Sequence, residues 1–132
     1  MPASKTGKNC TFAFLIGGTI CTVGQFITNF YKGIGLSEEL AGGATSVTLI
    51  FIGVLLTGLN IYPKIAKYAG AGTIVPITGF ANSVASPAIE AKTEGLVMGV
   101  GAKIFSIAGP VIVYGITASF VAGIWFFIKS LL

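Results

Sequence analysis

Four long stretches without a charged side chain organise this sequence: residues 9–31, 40–63, 68–89 and 104–132, the last interrupted only by Lys129. About 20 mostly apolar residues cross a hydrocarbon core of roughly 30 Å as a helix, and each stretch reaches that length. Inside lipid every backbone N–H and C=O must find its partner within the protein, which leaves helices and closed barrels as the structures that span. A barrel needs many strands alternating apolar with polar residues over about ten positions, and no stretch here alternates in that way. The sequence therefore predicts an all-α integral membrane protein with three to four transmembrane helices. Charge supports the same class, since 9% of the residues are charged against about 25% in a soluble domain.

The few charges sit between the stretches. They comprise eight lysines and four glutamates, a net charge of +4, with no histidine. The lysines are scattered through short loops and ends and form no basic face, which argues against a nucleic-acid partner and for anchors that hold helix ends at the lipid surface and set topology. Cys10 and Cys21 lie in or beside the first stretch and read as small apolar side chains. No metal site is expected, because no histidine is available to complete one, and no cofactor motif occurs. The N-terminal apolar run is too long for a secretory h-region and reads as a retained first helix.

Residues 1–8 read as a short polar, cytoplasmic tail, and residues 9–132 as one membrane domain. The first helix, over about 11–31, places Gly18, Thr22, Gln25 and Asn29 at helical spacing on one small, polar face. In lipid such a face turns towards a neighbouring helix or lines an aqueous cavity, so Gln25 and Asn29 are candidates for either role. Ser37 is a plausible N-cap for a second helix over about 39–60. The centre of that helix, residues 47–56, is bulky and apolar on almost every side and marks it as the most lipid-facing element, closed at the interface by Tyr62 and Pro63.

The third stretch is different in kind. Gly70, Gly72, Pro76, Gly79 and Pro87 interrupt it, and proline removes a backbone donor while glycine lowers helix propensity by about 1 kcal/mol. Either it is a kinked crossing helix packed by its small residues, or it is broken or re-entrant and faces a cavity. Half-helix N-termini in the second arrangement point N–H groups and a positive dipole end towards the midplane, where they can hold an anionic group. Gly70, Gly72, Thr73, Pro76, Thr78, Gly79, Asn82 and Ser83 are the candidate lining residues. If the stretch crosses, Lys5, Lys8, Lys64, Lys67 and Lys129 share one side; if it re-enters, Lys92 and Lys103 join the cytoplasmic lysines, which the positive-inside rule favours.

Glu90 and Glu94 stand four apart, so on a helix they would share a face. They form either a cation-attracting pore mouth or a solvated turn. The last helix, over about 103–128, carries Gly115, Ser119 and Gly123 at successive i+4 positions, a seam suited to helix packing. Trp125 and Lys129 anchor its far end. Acid–base catalysis has little to work with, since the four glutamates lie in two polar loops rather than as an opposed pair. The sequence is not expected to be an enzyme.

Three segments carry a resemblance: Phe14-Leu-Ile-Gly-Gly-Thr-Ile-Cys-Thr-Val-Gly-Gln25, Thr48-Leu-Ile-Phe-Ile-Gly-Val-Leu-Leu-Thr-Gly58 and Ala69-Gly-Ala-Gly-Thr-Ile-Val-Pro-Ile-Thr-Gly-Phe-Ala-Asn-Ser83. With Asn29-Phe-Tyr31 and Thr93-Glu-Gly-Leu-Val-Met-Gly-Val-Gly101, the chain from about Asn9 resembles the SpoVA family of spore-forming Firmicutes, and its AC type more than its AE type. Ala81 departs from the pattern, standing where the family more often has glycine. The resemblance implies a subunit of an oligomeric complex in the inner spore membrane, with AD- and AE-type subunits as partners. That complex moves dipicolinic acid with its calcium into the developing spore and out at germination. It also implies, for the AC type, opening by membrane tension. A nonconducting scaffold within the same complex is the alternative.

Overall fold

The computed structural model describes residues 6–131, and every regular element among them is helical. Three helices are long and apolar enough to cross a bilayer: Thr6–Gly33, Glu38–Gly58 and Leu96–Leu131. Contacts divide the chain into two compact units, Met1–Ser86 and Pro87–Leu132.

The first unit is built on a hairpin of α1 (Thr6–Gly33) and α2 (Glu38–Gly58). Between them Gly35 takes a positive φ of 96°, Lys32 pairs with Glu38 at 2.5 Å, and Ser37 caps α2 by accepting from the Leu40 N–H at 3.4 Å. At 1.5 Å per residue the 21 residues of α2 span about 31 Å, the thickness of a hydrocarbon core. Helix α1 begins at Thr6, so residues 6–8 of the expected polar tail are helical, and residues 1–5, with Lys5, lie outside the described residues. No breaker stands between Lys8 and Thr11, and extending an existing helix is easy where nucleating one is not.

The two helices meet through small residues and hydroxyls. Gly24 is buried against Leu49, the hydroxyls of Thr28 and Thr45 lie 2.9 Å apart, and Tyr31 Oη lies 3.0 Å from Thr48 Oγ1. Helix α2 buries Ala41, Thr45, Gly53 and Thr57, spaced by multiples of four and so on a stripe that winds slowly round the helix. This corrects the expectation of a helix facing lipid on almost every side. Bulky residues such as Val47, Phe51 and Leu55 do face outward, but the small residues between them form the seam that packs.

Helix α2 also ends earlier than expected. The Ile61 N–H bonds the Leu56 carbonyl and the Asn60 N–H the Thr57 carbonyl, both at 2.9 Å, while Asn60 takes φ 57°. This is a Schellman stop with asparagine in the left-handed position. Tyr62 and Pro63 do not close α2 but begin α3 (Tyr62–Ala69), with proline in the first turn where its missing N–H is harmless. Tyr62 is 3% exposed, so it is a core residue and not an interfacial anchor.

The third stretch is broken, as its composition predicts. Gly70, at φ 51° and ψ −120°, separates α3 from α4 (Ala71–Ile74), and Val75 and Pro76 separate α4 from α5 (Ile77–Glu90). Gly72 and Gly79 lie inside helices, and Pro87 sits within α5 without ending it. Helix α4 lies against Ala13 and Gly17 in the N-terminal half of α1. Gly53 touches Thr78 and Ala81 and Thr57 touches Asn82, so the contacts advance together and α5 runs in the same sense as the end of α2. Gly53 is five residues from that end, about 7–8 Å at the helical rise. The segment therefore passes beside the N-terminal half of α1 and turns back towards the end at which α2 stops, a re-entrant path.

The second unit holds the last residues of α5, from Pro87, then a 3-10 turn (Ala91–Glu94), a π-helical turn (Leu96–Gly101) and α6 (Ala102–Leu131). Gly95, at φ 98°, joins the two turns, and Gly99 packs on the Ala91 carbonyl. Pro110 lies within α6.

A Cβ added at Gly72 would stand 2.2 Å from the Ala13 carbonyl oxygen, whereas one at Gly115 would meet nothing within 4 Å. Gly72→Ala is expected to lower stability by about 1–3 kcal/mol and Gly115→Ala to leave it within about 0.5 kcal/mol, as read by thermal unfolding of the helical signal in detergent.

Candidate functional site

The break between α3 and α5 gathers several of the buried polar groups of the first unit. Tyr62, Thr73 and Thr78 are all at most 5% exposed. The Tyr62 hydroxyl donates to the Thr73 carbonyl oxygen and lies 3.0 Å from both that oxygen and Thr78 Oγ1. Thr73 bonds the Gly70 carbonyl through its N–H at 3.2 Å and its hydroxyl at 3.0 Å, and the Gly79 N–H bonds the Pro76 carbonyl at 2.9 Å. Interruption of a helix frees carbonyls and N–H groups that lipid cannot satisfy, and these bonds supply the partners. Among the described residues no buried side-chain nitrogen or oxygen lacks one.

Close backbone approach makes the cluster compact. A Cβ at Gly79 would fall 2.0 Å from the Thr73 carbonyl oxygen, and one at Gly17 would fall 3.0 Å from that of Gly72. Thr57 Oγ1 lies 2.7 Å from the Gly53 carbonyl and 2.9 Å from Asn82 Oδ1, so a single hydroxyl proton serves two acceptors and ties α2 to α5. On the α1 side of the break a cavity of about 320 Å³ is lined by Phe14, Gly17, Gly18, Cys21, Gly72, Val75 and Pro76, among others. Its walls are almost wholly apolar.

Of the residues singled out from sequence, Gly72, Thr73, Thr78, Gly79 and Asn82 converge on this cluster, with Gly70 and Pro76 at its two breaks. Ser83, the next residue after Asn82, bonds the Phe80 carbonyl at 2.8 Å instead. Gln25 and Asn29 do not join them. They bond each other at 2.9 Å and, with Gly18 and Thr22, form an exposed stripe on α1 that no helix of the first unit covers. Glu90 ends α5 and Glu94 ends the 3-10 turn, so the pair shares no α-helical face, and both residues are exposed. Gly115 and Gly123 meet no neighbour within 4 Å, and Ser119 is exposed. Cys10 and Cys21 are free and exposed. No group of three or more potential metal ligands occurs among the described residues.

Tyr62, Gly17, Gly53 and Thr57 organise the site but were not among its candidates from sequence, where Tyr62 was expected at the interface. Ala41, Thr45, Gly53 and Thr57 at multiples of four gave a usable signal. Tyr62 gave none, because a tyrosine beside a proline and two lysines has the sequence signature of an interfacial anchor.

The model of the SpoVAC/SpoVAEB sporulation membrane protein family matches residues 9–125. Stage V sporulation protein AC of Bacillus subtilis (strain 168) is 53% identical over 116 residues, covering 87% of this chain and 77% of that protein. No solved structure matches.

Removing the Tyr62 hydroxyl leaves the buried Thr73 carbonyl short of a donor. Tyr62→Phe is expected to lower stability by about 1–3 kcal/mol, with the loss concentrated in α3 to α5. Amide hydrogen exchange in detergent checks this, with exchange accelerating over residues 62–82 and little changed in α1.

Proposed function

This chain belongs to the SpoVAC/SpoVAEB family of sporulation membrane proteins, and on that premise we propose that it is a channel subunit moving dipicolinic acid, with its calcium, across the inner spore membrane. The observation that carries the reading is the helix interrupted twice within the membrane-embedded unit, at Gly70 and at Val75–Pro76. Irregular backbone at membrane depth is tolerated where protein buries it or where it lines an aqueous path, and paired helix termini there are the usual means of handling a charged solute. Dipicolinate is a rigid aromatic dianion near neutral pH. The first N–H groups of α5, together with Thr78 and Asn82, suit its carboxylates.

A path between subunits fits the distribution of polar groups better than one inside a single chain. The cavity beside Pro76 has apolar walls, whereas Gly18, Thr22, Gln25 and Asn29 present a polar stripe along an otherwise apolar helix. Such a stripe is supported in lipid when it meets another subunit or water. The partners proposed are further copies and AD- and AE-type SpoVA subunits. The re-entrant segment, held by a few hydrogen bonds to α2 and α3, is a reasonable element for tension to displace. A nonconducting scaffold is the second reading, favoured by the open Gly115, Ser119 and Gly123 seam of α6.

Purified protein reconstituted in liposomes loaded with calcium dipicolinate tests both. Release followed by terbium fluorescence is expected to rise under osmotic stretching and to change several-fold in Asn82→Ala. No release from this chain alone, with release restored by partner subunits but indifferent to Asn82, would assign it the scaffold role.

A further inference from the structure

Two amides stand on α1 with most of their hydrogen-bonding capacity unused. Gln25 Nε2 donates to Asn29 Oδ1 at 2.9 Å, which engages one N–H of Gln25 and one lone pair of Asn29. The Gln25 carbonyl, the second N–H of Gln25 and both N–H groups of Asn29 are left over. Hydroxyls along the same helix have no such deficit, since Thr11, Thr19 and Thr22 each donate to the carbonyl four residues earlier. Gln25 lies seven residues from Lys32, about 10 Å along the helix. That places it below the headgroups, where lipid offers an amide no partner.

The surroundings of the pair point to its partner. Leu15, Gly18, Thr22, Gln25 and Asn29 are all exposed, and they follow one another at alternating steps of three and four, the seam of a left-handed helix pair. Gly18 and Thr22 are small enough for a second backbone to come close. Copies of one chain inserted in the same sense hold each residue at the same depth. About a twofold axis along the membrane normal, Gln25 therefore faces Gln25 and Asn29 faces Asn29. A primary amide is its own complement, offering N–H to carbonyl and carbonyl to N–H. We propose that this stripe is an interface between two copies of the chain, α1 against α1, closed by reciprocal amide bonds at Gln25 and at Asn29. The inference rests on the reading of this chain as a subunit that meets further copies, and it names the face and the bonds by which they meet.

Energy transfer between fluorescently labelled copies of the full chain, measured in liposomes over a range of protein-to-lipid ratios, tests the interface. Transfer is expected to follow a monomer–dimer equilibrium. Gln25→Leu with Asn29→Leu is expected to weaken association at least tenfold, and Gly115→Leu, in open space on α6, to leave it unchanged. With Cys10 and Cys21 replaced by serine, Thr22→Cys is expected to cross-link to its counterpart under mild oxidation, and Phe30→Cys, exposed on another face of α1, to stay reduced. A chain monomeric at every ratio, undiminished transfer in the double leucine variant, or cross-linking through Phe30→Cys in preference to Thr22→Cys would overturn the proposal and leave the stripe to water or to a different subunit. The readout involves no solute. Association without release of calcium dipicolinate keeps the interface and removes the channel reading, and release from a chain that stays monomeric does the reverse.

Discussion

Backbone groups in a bilayer have no solvent to fall back on, and in this protein that constraint meets a helix that stops twice inside the membrane-embedded unit. The solution is close approach. Gly17 and Gly72 bring α1 and α4 together at a separation no side chain permits, Gly79 lets α5 fold back onto Thr73, and Gly53 admits Thr78 and Ala81 against α2. Once the backbones are this near, the Tyr62 hydroxyl can reach the Thr73 carbonyl from the far side of the turn. Without the glycines the freed carbonyls would stand apart from every donor in the unit, and the break would be untenable in lipid.

The same arrangement divides labour between the faces of the hairpin. A stripe of alanine, threonine and glycine that winds round α2 holds α1 at one end and α5 at the other. A different face of α1 carries Gln25 and Asn29, which satisfy part of each other's hydrogen-bonding capacity and leave the rest outward. Between the two helices, where the side chains are branched and bulky, packing is incomplete and leaves an apolar cavity beside α3. Small residues close one part of the seam, and large ones leave another open.

Much of this was legible beforehand for local reasons. Charge-free length gave the long helices, Ser37 gave the start of α2, and Gly70 with Pro76 gave the breaks, since each depends on a residue's own chemistry and that of its immediate neighbours. Other features depended on partners that no periodicity names. Gly72 and Gly79 looked like breakers but are contact points inside helices, because the carbonyls they accommodate come from Ala13 and Thr73. Tyr62 looked like an anchor because its neighbours are Pro63 and Lys64, yet its ring turns inward to serve a carbonyl eleven residues on. Glu90 and Glu94 would share a face on an α-helix, but a 3-10 turn intervenes and separates them.

The sequence by itself determined that this protein is helical, lives in a membrane, and interrupts its third apolar stretch with glycine and proline. Those properties follow from hydropathy and from the intrinsic geometry of single residues, which no distant contact can alter. Only the tertiary structure decided that the interrupted segment turns back beside the start of α1, that α2 packs through its smallest residues, and that a tyrosine beside two lysines belongs to the core. These depend on which backbone groups come within reach of one another across tens of residues, and in lipid the pairing of those groups, more than the burial of apolar surface, selects the arrangement.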